Sequence, residues 1–425
     1  MKRTLKSVLY TMSDKTPHNS RWVIVTFNRP LMWTRNDDET WTFNPKHRYV
    51  LNANQLGNLG EFVDTISDLA TSPNFNPLQA GRANLAGANI LVERYRERGI
   101  GDLLFLTGPL NYLRFLSGSE VKVDMYALAD RGAILANHPA LYYKATLAGP
   151  LSYDDLPAYD YHWFVDTVTE YDEEPDQLNV YDALYRSLGL SPQDVPIEYK
   201  RPSLILDQND EKNLDQFFYF TFLEKKLDLR KTGYYVVAPF ARGSLRSGLY
   251  STWLNVIEQL AKRRPVVVIG TLDGRIPETD MSGGVFNEQV NSLGTNVVNA
   301  LRSPAMPIRM LASIISKATA VGCMDSGPLY VAQALNVPAI SLWGPHDPRV
   351  RIGYDKRYMD LAIWNTDSCR RTPCYAYDRF PAAKCPLGDQ QRVCEVLRTV
   401  EPGMILEKFE AVEKLNTVVA PQPTK

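Results

Sequence analysis

The stretch Val321–Pro348, VGCMDSGPLYVAQALNVPAISLWGPHDP, sets the architecture expected of this chain. Its polar residues stand only where the backbone has to reverse. Asp325-Ser326-Gly327-Pro328 predicts a helix start, with an acid and a hydroxyl able to cap free N–H groups, a glycine, and proline in the first turn. Tyr330–Leu335 continues that helix, Asn336 suits its end, and Pro338–Trp343 predicts a buried strand. Gly344-Pro345-His346-Asp347-Pro348 then turns the chain. A helix start offering N–H groups, a carboxylate and a small residue suits a sugar that carries a phosphate leaving group. An ordinary capped helix of an α/β domain uses the same residues, so spacing alone leaves both open.

The alternation extends outward on both sides. Tyr234–Ala238 predicts a strand, Thr252–Arg263 a helix, Pro265–Gly270 a buried strand and Asn296–Val298 a short one. Met306–Lys317 predicts a helix, and Thr319–Met324 leads into the motif. An earlier unit starts at Asn89, with strands over Ile90–Tyr95, Val121–Leu128 and Tyr161–Val165 and helices over Asp102–Leu116 and Asp176–Leu188. Strand-then-helix repetition predicts parallel sheets, whose ligands bind beyond the carboxyl ends of the strands. Before residue 89, Trp22–Phe27 predicts a strand, Trp33, Trp41 and Phe43 predict extended chain, and Glu61–Ala70 has helical spacing. Glu401–Leu415 predicts a closing helix, a candidate to pack back on the first domain.

A chain of 425 residues exceeds what one core usually supports, so two domains are expected. The expected divisions are an N-terminal extension over 1–88, a first α/β domain with linker over 89–230, a second α/β domain over 231–400, and a C-terminal helix and tail over 401–425. Hydrophobic residues make up 44% and charged ones 22%, as in an ordinary globular enzyme. A net charge of −1 argues against a dominant nucleic-acid surface. No apolar run approaches the ~20 residues of a membrane span. The basic start MKRTLKSVLYTMSDK is soon broken by polar residues, so a cytoplasmic protein is expected. Four of the five cysteines, Cys369, Cys374, Cys385 and Cys394, lie in the tail without a C-x2-C knuckle; packed thiols are preferred to a zinc site there, and no metal is expected.

Several side chains are candidates for chemistry. Arg98-Gly99-Ile100-Gly101-Asp102-Leu103-Leu104 joins the first strand to its helix, and Asp102 is either a reactive acid or simply the helix cap. Pro239-Phe240-Ala241-Arg242-Gly243-Ser244-Leu245-Arg246 follows a strand and offers Arg242, Ser244 and Arg246, which as solvated loop charges would need no further role. Asp273, beyond Gly270, is placed to meet a ribose hydroxyl. Asp325, Ser326, Gly327, Pro328 and His346 complete the set. No G-x-G-x-x-G follows either leading strand, which disfavours a dinucleotide-dependent oxidoreductase.

The Asp-Ser-Gly helix start, the strand after it and the Gly-Pro-x-Asp-Pro turn together resemble the donor-binding signature of the ADP-heptose:lipopolysaccharide heptosyltransferases, glycosyltransferase family 9. The glycine turn at Asp102 resembles that family's Leu-Gly-Asp motif, and Pro239–Arg246 resembles its Pro-Gly-Ala-Ser turn with the cation that follows. Cys385-Pro386-Leu387-Gly388 with Cys394 resembles the tail of many members. The resemblance spans roughly 89–415 and implies a remote member with an N-terminal extension. It implies an α/β fold of the GT-B type, with two Rossmann-like domains facing a central cleft.

It also implies an inverting, metal-independent transfer from a nucleotide-sugar donor, with no other cofactor. An acceptor hydroxyl attacks the anomeric carbon opposite the departing diphosphate, Asp102 takes its proton, and Arg246 contacts phosphate. The expected acceptor is a glycan or lipid-linked glycan. Three departures stand out: Phe240 for glycine, His346 where threonine is usual, and Ser247-Gly248-Leu249-Tyr250 where a tryptophan-proline pair is expected. Arg370, Arg371, Tyr375, Tyr377, Arg379 and Phe380 interleave basic and aromatic residues, so a hydroxymethylated base in DNA is an alternative acceptor. A non-catalytic nucleotide-sugar binding protein is the alternative from another class.

Overall fold

A computed structural model describes residues 22–35, 39–53, 56, 59–94, 99–127, 132–143, 150–165, 177–241, 243–272, 278–303, 306–374, 385 and 393–419. Chain contacts divide it into two units, one running to Arg98 and resuming over Gly108–Lys200, the other made of Gly99–Thr107 and the residues from Arg201 on.

In the first unit, β-branched and aromatic residues make Trp22–Phe27 a strand, β1. β2 (Leu31–Arg35) and β3 (Glu39–Phe43) form an antiparallel ribbon with Trp33 opposite Trp41. β4 (Tyr49–Asn52) and β5 (Val63–Asp68) flank β1 in an antiparallel sheet. β5 falls where the spacing predicts a helix. Val63, Thr65 and Ile66 are β-branched, and pairing with β1 satisfies the backbone that a helix would have satisfied internally.

The second sheet of this unit is parallel. It uses β6 (Asn89–Arg94), β7 (Lys122–Ala127), β8 (Leu141–Tyr143) and, after β9 (Leu151–Ser152) has joined the first sheet, β10 (Tyr161–Phe164), in the order β10-β6-β7-β8. Helix α1 (Ile100–Leu116) follows β6 and carries Pro109 within it. Helix α2 (Val180–Ser187) is capped by Asn179, and Gly189 beyond it has φ +68°.

The second unit opens with α3 (Gln208–Lys225), which the charged run at 207–212 conceals from the hydrophobic pattern. Asp207 and Asp210 form a capping box, each side chain accepting from the other's backbone N–H. Asp207→Ala is expected to cost about 1 kcal/mol, readable as a lower urea midpoint at unchanged slope.

A six-stranded parallel sheet follows. Its strands are β11 (Tyr235–Ala238), β12 (Val266–Thr271), β13 (Val297–Arg302), β14 (Ala320–Met324), β15 (Ala339–Leu342) and β16 (Ala362–Ile363). They lie in the order β13-β12-β11-β14-β15-β16. Valine-rich runs without polar alternation suit strands covered on both faces. The covering helices are α4 (Tyr250–Ala261), α5 (Gly283–Ser292), α6 (Ile308–Ser316) and α7 (Gly327–Ala334). The closing helix, α8 (Pro402–Val419), packs on this second sheet: Phe409 lies against Tyr235 and over Gly322, beside Trp253. Among the described residues, no helix is long and apolar enough to cross a membrane.

Candidate active site

In the six-stranded sheet the order of the strands reverses at β11, whose neighbours are β12 on one side and β14 on the other. Loops leaving the carboxyl ends of such strands diverge and open a crevice. β11 runs into Pro239–Arg246, β14 into Asp325–Pro328, and β15 into Gly344–Pro348. The first and third loops touch: a Cβ on Gly344 would stand 2.8 Å from the Leu245 carbonyl oxygen, a contact only glycine avoids. Phe240 packs against the core, on Tyr250 and Phe286, which gives a packing role to the bulky residue that stands where a glycine was expected.

Asp325 is 3% exposed and sits at the centre of the cluster. The Tyr330 hydroxyl donates to its Oδ1 at 2.5 Å, and His346 Nδ1 lies 2.5 Å from its Oδ2. Burial works against its charge, but His346, Arg246 and Tyr330 prevail and hold the carboxyl well below the usual range. His346 is also buried. Desolvation lowers its pKa, Asp325 opposes, and Arg246 and Arg351 add to the lowering. A neutral imidazole with its proton on Nδ1, facing an ionised Asp325, fits both directions. Of the acid and the hydroxyl that the sequence offers as caps of α7, Ser326 holds the cap position, in extended conformation at φ −157°, and its hydroxyl donates to the Met324 carbonyl at 3.3 Å. The Asp325 side chain is drawn inward by Tyr330 and His346.

Asp102 lies in the first turn of α1, which begins two residues earlier at Ile100, so it is not the cap itself. That turn belongs to the same unit as the six-stranded sheet. Ile100 packs on Gly327 at the start of α7, where a Cβ would be 3.4 Å from the Ile100 Cβ. Phe105 stands edge-on to Tyr330, with ring centroids 4.6 Å apart, and the Arg351 guanidinium lies 5.8 Å from the Phe105 ring centroid. Tyr330 is raised well above the ordinary phenol value by burial, then by Asp325, with Arg351 opposing and Asp102 adding. Two helix amino termini, two arginines and two carboxylates are therefore brought together. The positive ends of the helices and the guanidiniums make the place favourable for an anion.

Asp102, Arg246, Asp325, Ser326, Gly327, Pro328 and His346 thus share one neighbourhood. Ser244 lies in the single turn Ser244–Arg246 that carries the arginine. Arg242 and Asp273 lie outside the described residues, as do Tyr375, Tyr377, Arg379 and Phe380. Two participants escape the sequence reading, Tyr330 and Arg351. A tyrosine in an apolar helix needs a partner for its hydroxyl, and Arg351 follows the Asp-Pro turn by a few residues, so each leaves a faint signal. Cys369, Cys374 and Cys394 are buried and Cys385 half-buried. Burial pushes the Cys394 thiol up to about 11, and charges on Cys369 and Cys385 add to the effect.

The family model described as glycosyltransferase family 9 (heptosyltransferase) matches residues 151–376, just over half of the chain. No curated protein matches the chain. Among solved structures, ADP-heptose lps heptosyltransferase II of E. coli is similar at 15% identity and a TM-score of 0.52, covering 77% of this chain and 99% of that one. TibC of enterotoxigenic E. coli H10407, described as an iron-containing dodecameric glycosyltransferase, is similar at 13% identity and a TM-score of 0.52, covering 93% of this chain and 92% of that one. A TibC complex with ADP-D-beta-D-heptose gives 14% identity and a TM-score of 0.50, with coverage of 93% and 92%. Among the described residues of this chain, no group of three or more His, Cys, Asp or Glu gathers closely enough to hold a metal ion. The likeness shows a GT-B-type α/β fold, and the family match extends it to activity: the chain belongs to glycosyltransferase family 9 and is a glycosyltransferase.

Proposed function

We propose that the chain transfers a sugar, with inversion, from a nucleotide-sugar donor to a hydroxyl of a glycan or lipid-linked glycan, without a metal ion at the reacting centre. The observation that carries this reading is the meeting of the α1 and α7 amino termini beside Arg246, Arg351, Asp102 and Asp325. A departing diphosphate needs positive charge, and two arginines with two helix ends supply it from the protein. Arg246 and the Ser326–Gly327 backbone receive the diphosphate, and the Asp325–Pro328 loop, held by His346 through Asp325, carries the donor sugar. Asp102 takes the proton of the attacking hydroxyl. The similar TibC structure holding ADP-D-beta-D-heptose favours an adenine nucleotide as the first donor to try.

The test begins with a thermal-shift panel of nucleoside diphosphates and nucleotide sugars, because a ligand selective for the folded state raises its melting point. Arg246→Ala is then expected to weaken ADP binding by about 10–100-fold, the loss of one charge-assisted contact, measured by isothermal titration. Unchanged ADP affinity in Arg246→Ala would remove the diphosphate from that place.

A further inference from the structure

Tyr330 stands between the two carboxylates and touches the elements that carry both. It is 6% exposed, and its hydroxyl donates to Asp325 Oδ1 at 2.5 Å. Its ring meets Phe105 on α1 edge-on, with the planes at 66°. The same ring fills the space a Cβ on Gly101 would need, directly before Asp102 in the chain. One turn earlier on α7, Gly327 meets Ile100. A single side chain therefore links the Asp325 loop to the first turn of α1, and every residue named lies within one unit.

We propose that Tyr330 is a positioning residue for sugar transfer: its hydroxyl holds Asp325, and its ring seats the Gly101–Asp102 turn. This rests on the roles given above to Asp102 and Asp325. A tyrosine suits the task because its rigid ring has only two side-chain torsions to fix. Gly101 is the other half of the device, since any side chain there would push the turn off the ring. Displacing a reacting group by ~1 Å can cost ~10²-fold in rate.

The test uses the full-length chain and ADP-D-beta-D-heptose, following ADP release, with Asp102→Asn as the reference. Gly101→Ala and Tyr330→Ala are expected to lower kcat at least about tenfold per folded molecule, while donor KM stays within about threefold. Tyr330→Phe keeps the ring and is expected to recover most of that loss, falling about threefold below wild type. A role in packing alone would lower the melting midpoint and leave kcat per folded molecule unchanged. Wild-type kcat in both Gly101→Ala and Tyr330→Ala, with Asp102→Asn inactive, overturns the proposal and spares the site. Normal turnover by Asp102→Asn overturns the site assignment instead. Amide hydrogen exchange over residues 99–107 needs no substrate and probes the seating of the turn directly. Exchange at least about tenfold faster in Tyr330→Ala supports the seating role, and unchanged exchange overturns it even where no donor turns over.

Discussion

Asp102→Asn will bind ADP within about threefold of wild type and transfer sugar ~10²–10⁴-fold more slowly, the usual span for loss of a general base. The substitution keeps the shape of the side chain and its ability to accept from a backbone N–H, so the first turn of α1 should persist. What disappears is a basic oxygen. Asp102 sits in that first turn, where the positive end of the helix suits a carboxylate. The contrast with Arg246→Ala is diagnostic: one variant loses turnover with binding kept, the other loses binding. Single-turnover ADP release, paired with isothermal titration of ADP, separates them. Full turnover by Asp102→Asn would send the search for the base elsewhere.

The parts of the fold that are legible in the sequence are those where burial dictates residue type. The valine runs of β11 and β12 and the apolar β14 and β15 have no polar alternation because both faces are covered, and they stand out at once. β5 reads as a helix because its apolar residues have helical spacing, while the strand pairing that fixes it comes from β1, about forty residues earlier. α3 is hidden by its charges, although the Asp207–Asp210 box announces its start.

At the site, a local motif gives Asp325 its place in the chain but not its direction. Whether an acid caps its own helix or turns inward depends on partners distant in sequence, here His346, and on a tyrosine that looks like core filling. Arg351 and Tyr330 escape notice for the same reason. Their significance comes from the approach of α1, which no local pattern near residue 330 encodes.

Asp325→Ala is expected to destabilise the second unit by about 3–5 kcal/mol, the usual cost of removing one partner from a buried charged cluster. The carboxylate is the acceptor for the buried Tyr330 hydroxyl and a counter-charge for half-buried Arg246, and its removal takes both interactions away. The same cluster makes stability depend on pH, and the sign follows from the directions of the shifts. The Asp325 carboxyl is held below its ordinary value, so its contribution is present above about pH 4 and is lost only as pH falls through the lowered value. His346 is also lowered, by burial first, so the folded state resists a proton that the unfolded chain accepts below about pH 6.5. Its contribution is therefore complete above about pH 6.5 and is lost as pH falls through its own lowered value. Wild type should lose stability between pH 7 and pH 5 with a slope of up to about 1.4 kcal/mol per pH unit from this one histidine. His162, lowered by burial in the first unit, adds to the slope of wild type and variant alike. His346→Asn should flatten its own share of that slope, even if it lowers stability at pH 8. Urea titrations at several pH values measure both quantities, and equal slopes in wild type and His346→Asn would show that the imidazole carries no buried-neutral penalty.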